Sequence, residues 1–184
     1  MANPKTLRIC CGVTTTLFIA IAITITTLAF TVFKPRNPII EAYPVGLKKV
    51  SWDLTANETI IPMIITVQNK NYGSFQFQNT AATIEYHGLS VGRVPIPQNL
   101  VPARSKIKIS TSADLITPMV VNSSYFYDDL AGGNLTLVSV ARIPGMVHMF
   151  KILNLHATTY STCQMEVFIL TQTAKSTCTS RLKL

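Results

Sequence analysis

The chain has 184 residues, 48% hydrophobic and 13% charged, with Lys and Arg outnumbering Asp and Glu by 16 to 8. That composition lies far from a disordered chain, and because the positive excess is spread rather than blocked it leaves no nucleic-acid footprint. Four Asp and four Glu are sparse material for acid–base chemistry.

In chain order, a short head (residues 1–12) carries Lys5 and Arg8 and ends on Cys10, Cys11 and Gly12. Val13 to Phe33 then runs 21 residues without a charge, a proline or a glycine. As a helix it spans roughly 32 Å, against a hydrocarbon core of about 30 Å, so it is read as a single membrane-spanning helix. Its seven threonines are tolerable in lipid because each hydroxyl can bond back to a carbonyl one turn earlier. A cleaved signal peptide competes with this reading, with Thr27-Leu28-Ala29 as a poor cleavage site. Cys10 and Cys11, at the mouth of the helix, are candidates for S-acylation.

Orientation is contested. Lys34, Arg36, Lys48 and Lys49 follow the helix, and a count of positive residues would place the body in the cytosol. Three Asn-x-Ser/Thr triplets, at Asn57, Asn122 and Asn134, are glycosylation candidates if the body is extracytoplasmic; chance alone supplies about two in this composition. Cys163 and Cys178 are disulfide candidates in that setting, worth about 3 kcal/mol for a loop of that length, or else two buried free thiols.

Residues 34–48 form a spacer and the first strand, and residues 49–184 form one domain. Alternation predicts strands at Val50–Leu54 and Ser105–Ala113, while Thr59–Gln68 is apolar on both faces, with Pro62 marking a bulge or edge. Asn69, Lys70 and Asn71 begin a turn, and Ala82–Tyr86 and Leu89–Arg93 flank a two-residue hairpin connection, His87-Gly88. One helix is expected from Pro118 to Gly132-Gly133, with Asn122 and Ser123 as caps. Leu135–Arg142, Phe150–Thr162 and Cys163–Thr171 complete a mainly β, antiparallel sandwich.

No chemistry-bearing motif emerges. His87, His148 and His156 are scattered, no metal-ligand spacing or nucleophile elbow is present, and Asp128-Asp129 reads as solvated charge. No catalytic, cofactor-binding or metal residue is nominated, and no cofactor is expected. A hydrolase would need His148, His156 and Asp114 to converge.

From Val67 onward, VQNKNYGSFQFQNTAATIEYHGLSVGRVPIPQNLVPARSKIKI resembles the second, well-folded group of plant late embryogenesis abundant domains, also called the water-stress and hypersensitive-response domain. The amino-terminal helix, Asp129-Leu130-Ala131-Gly132-Gly133, Cys163 and Cys178 resemble its membrane-anchored, harpin-induced-like branch. Lys70 departs from the family turn, which has proline between the two asparagines. The resemblance implies a fibronectin-type-III-like sandwich with one helix, no known catalytic residues, and a plant stress or defence role at the plasma membrane. The amino terminus would be cytosolic and the body extracellular, and the implied partners are the bilayer and an unknown protein or anionic cell-wall or lipid partner. The alternative is a lipid-binding or lipid-transfer module, motivated by the two-sided strands Ile60–Val67 and Leu135–Val140.

Overall fold

The computed structural model describes residues 4–31, 34–47, 56–149 and 153–184, and the chain divides into two compact units, Met1–Pro35 and Arg36–Leu184. The first holds helix α1, Pro4–Thr31. Side chains are described for residues 12–28 of it, and all of them are exposed. Thr16, Thr24, Thr26 and Thr27 each donate to the carbonyl four residues earlier, at 2.7 to 3.1 Å, so these hydroxyls are satisfied within the helix. Here the structure differs from the expected membrane span: among the described residues, no helix is long and apolar enough to cross a membrane.

The second unit is mainly antiparallel sheet. Its strands are β1 (Ile39–Pro44), β2 (Glu58–Gln68), β3 (Ser74–Phe77), β4 (Thr80–Tyr86), β5 (Leu89–Ile96), β6 (Asn99–Val101), β7 (Lys106–Ile116), β8 (Asn134–Met149), β9 (Leu153–Phe168) and β10 (Thr173–Lys183). Ladders join them in the order β1-β2-β7-β5-β4-β8-β9-β10, with β3 and β6 added beyond β4 on the same edge of β8. The sheet rolls until its ends meet: Ser180 Oγ donates to the Pro38 carbonyl, and Leu182 N donates to Asn37 Oδ1 at 2.9 Å. The inward faces enclose one apolar core, to which β2 contributes Ile61, Met63, Ile65 and Val67.

Several strand expectations change. Ile60 is 60% exposed, so the start of β2 has an outward face rather than two buried ones. Pro62 lacks a donor on the side where β1 has ended, and its carbonyl accepts from Val45 N there. β8 continues past Arg142 because Pro144 falls in the gap between its pairings with β4 and β3, where no ladder needs its N–H. Gly145 follows, where a Cβ would collide with the Gln76 carbonyl. The two strands expected over 150–171 are one, β9, and β10 was not anticipated. Val50–Leu54 lies outside the described residues.

Cys163 and Cys178 sit directly opposite each other in the β9–β10 ladder and are joined by a disulfide. Replacing both with alanine is expected to lower unfolding stability by about 3 kcal/mol, the loop-closure value for this spacing. Urea titration checks this, and an unchanged midpoint would refute it.

The turn after β2 is built around Asn69, which is 4% exposed. Its Nδ2 donates to the carbonyls of Gly73 at 2.8 Å and Pro102 at 3.2 Å, while its Oδ1 accepts from Asn71 N at 2.9 Å. Asn71 exchanges two bonds with the Arg36 backbone, at 2.6 and 2.7 Å. Side-chain amides thus hold this turn, with the exposed Lys70 between them. Asn69→Ala should cost on the order of 3 kcal/mol, because buried carbonyls lose their donor, and Asn71→Ala about 1 kcal/mol; chemical denaturation of the two variants tests the order.

Candidate functional site

At one end of the rolled sheet, β2 and β8 begin while β7 and β9 finish, and two short helices cover the opening. They are α2 (Thr117–Val121) and α3 (Phe126–Gly132), where a single helix was expected. Asn122-Ser123-Ser124 breaks it, since these side chains compete for the backbone bonds a helix interior needs. Instead of starting a helix, Asn122 closes α2, its N–H donating to the Pro118 carbonyl at 3.0 Å. Ser123 Oγ accepts from Tyr125 N at 3.4 Å. Gly133, in the left-handed region at φ 79°, ends α3.

Beneath the helices lies a cavity of about 260 Å³ walled by Ile61, Leu115, Val120, Phe126, Leu137 and Phe168. Two hydroxyls in its wall, Thr59 and Thr117, are buried and bonded to each other at 2.9 Å, so neither needs water. The helices are tied down at both ends of the pair. Near its far end the Gly133 carbonyl accepts from Ile169 N at 3.1 Å.

The strongest tie is a side-chain latch. His87 and Gly88 both have positive φ, 48° and 80°, as a two-residue hairpin turn requires. The turn presents Tyr86 and His87 to α3. There Asp129 Oδ2 accepts from Tyr86 Oη–H at 2.7 Å and from His87 Nε2–H at 2.9 Å. The His87 ring stacks on Tyr125 with centroids 4.2 Å apart. Tyr86 is fully buried. Hydrogen bonds from His87 and then Tyr86 hold the Asp129 carboxyl below the usual carboxylate range. Burial, reinforced by Asp129, pushes the Tyr86 phenol well above its ordinary value.

The two shifts act at opposite ends of the pH scale. Asp129's contribution is present above its unfolded value of about 3.9 and is lost as pH falls through the lower folded value. Tyr86's is complete below about 10 and is lost as pH rises toward its elevated folded value. The stability gap between the native chain and Asp129→Asn should therefore be present at neutral pH and shrink below about pH 4. Denaturation across pH checks this, and hydrogen exchange in α3 should quicken in the variant.

All three glycosylation candidates are exposed and border this end: Asn57 precedes β2, Asn122 closes α2 and Asn134 opens β8. The Asn57 carbonyl accepts from Thr117 N at 3.2 Å. The turn residues Asn69, Lys70 and Asn71 lie at the opposite end of β2, and the Cys163–Cys178 disulfide lies between. Cys10 and Cys11 fall in α1, outside the described side chains. His148 bonds Asn154 Oδ1 at 2.7 Å, and Asp114 Oδ1 accepts from Ser112 Oγ at 3.1 Å. No group of three His, Cys, Asp or Glu among the described residues is arranged to hold a metal. Asp129, read from sequence as solvated charge, is instead doubly bonded. The hairpin turn was the one legible half of the latch, because nothing local links residue 87 to a partner 42 positions away.

No family model matches the chain, and no curated protein matches it. Among solved structures it is similar to a crystal structure of a protein from Archaeoglobus fulgidus, with 13% identity, a TM-score of 0.40, and coverage of 81% of this chain and 99% of that one.

Proposed function

We propose that the chain is a non-catalytic, single-pass membrane protein of the late embryogenesis abundant, harpin-induced-like type. In this reading α1 anchors it in the plasma membrane with the amino terminus cytosolic. A fibronectin-type-III-like sandwich domain acts outside the cell in plant stress or defence, through contact with a protein or an anionic cell-wall or lipid partner. The observation that carries the reading is the surface of α1. Phe18 is 73% exposed, Ile25 62% and Ile23 59%, while the threonine hydroxyls named above are bonded inside the helix. Such a surface needs an apolar covering, and the uncharged sequence continues to Phe33.

Two features favour an extracytoplasmic body. The disulfide suits an oxidising compartment, and the three sequon asparagines are exposed at the end of the domain away from Arg36. The net positive charge that follows the helix favours an anionic partner.

Expression in plant cells tests anchor and orientation together. The chain should stay with membranes through alkaline carbonate and leave them in detergent. Peptide N-glycosidase should increase its mobility, and the combined Asn57→Gln, Asn122→Gln and Asn134→Gln variant should show no shift. Release by carbonate would end the anchor reading, and an unshifted native chain whose body protease digests in intact microsomal vesicles would reverse the orientation.

A further inference from the structure

We infer that the interior of the sandwich binds a single aliphatic chain, entering beneath α2 and α3. Three spaces lie in series along the inward face of β2. The cavity of about 260 Å³ shares Ile61, Leu115, Leu137 and Val167 with a void of about 20 Å³. That void shares Met63, Val94 and Ser139 with a third, of about 50 Å³, that reaches Pro38 and Phe75.

Inward residues of a strand recur every 6.6 Å or so, which puts Ile61 and Val67 about 20 Å apart. The series is therefore long and narrow, the shape of an alkyl chain rather than of a ring system. An apolar cavity of about 150 Å³ accepts benzene, so the outer space alone has room for about ten carbons.

Composition explains why the space is there. Ala82, Ala113, Ala141 and Ser139 stand at inward positions where larger side chains would close a core of ordinary density. The outer wall offers no charged group, and its two threonine hydroxyls already pair with each other. At the inner end the character changes. Thr159 Oγ1, 1% exposed, is the one buried side-chain polar atom among the described residues without a partner, and it borders the innermost void. The aliphatic stretch of wall ends there.

The mouth lies by Leu130 of α3 and by Ile169 and Gln172 of the β9–β10 turn. Leu170, 89% exposed, sits on that turn. The wall over the cavity is the helix pair, held down by the Asp129 latch and by the Gly133–Ile169 bond.

The chain could be supplied by a free fatty acid or by a membrane phospholipid, and the experiment separates them. The full chain, in nanodiscs of phosphatidylcholine, is irradiated with either a diazirine-bearing long-chain fatty acid or a phosphatidylcholine carrying the diazirine in one acyl chain, and labelled peptides are mapped by mass spectrometry. Label in peptides covering 115–121 and 130–137 is expected, and the probe that delivers it names the source. Leu137→Trp, which fills the outer cavity, and Leu130→Trp, which blocks its mouth from a partly exposed position, should each lower that label about tenfold, equivalent to about 1.4 kcal/mol, with labelling of α1 unchanged.

An intact Cys163–Cys178 disulfide and a cooperative thermal transition identify folded variants, and Leu130→Trp keeps the comparison open if Leu137→Trp does not fold. Label confined to α1 with both probes, or sandwich label unaffected by both variants, overturns the inference. Absence of label in α1 alone would count against the anchor and leave the cavity result standing.

Discussion

The register between β8 and β9 runs unbroken from Asn134 opposite Phe168 to Met149 opposite Leu153, and the placement of the other strands depends on it. One edge of this pair carries β4 and β3 in tandem, and the other carries β10. A slip of one residue would turn Leu137, Ala141, Ile143 and Val147 away from the core. The disulfide between Cys163 and Cys178 fixes the neighbouring β9–β10 register in turn. The cavity lies at the end of this pair where β8 starts and β9 stops.

Much of this was legible in the sequence where local rules decide structure. The alternation of β7, the His87-Gly88 turn and the glycine end of α3 follow from side-chain period and backbone freedom. β10 escaped notice for a physical reason: its inward side carries Ala174, Ser176, Cys178, Ser180 and Leu182, too mixed to show an apolar period. β8 was expected to end at Arg142, and it runs on through Pro144, a residue that removes a ladder donor. It is tolerated here only because two partner strands divide the same edge. The helix was read as one piece because Asn122 and Ser123 have the chemistry of caps at either end of a helix. The latch and the cavity depend on pairings between distant segments, which residue periodicity does not encode.

The second unit has two chemically distinct ends. At one, Arg36 enters and is held by Asn71, with Asn37 and Pro38 fastened to β10. At the other, α2 and α3 cover apolar space and the three sequon asparagines face solvent. β2 connects them, passing the cavity at Thr59 and leading into the buried turn residue Asn69. Any glycan carried at that second end would stand around the cavity mouth.

The Arg36–Asn71 pairing also has a mechanical meaning. Tension along Lys34-Pro35 is borne first by two short hydrogen bonds to the Asn71 side chain and by the fastening of Asn37 and Pro38 to β10, before any of it reaches the β1–β2 ladder. Asn71 is itself bonded to Asn69, whose amide grips the carbonyls of Gly73 and Pro102, so the load spreads into two loops at once. The domain is thus built with a strain relief at its lead, and a pull on that lead need not peel its first strand.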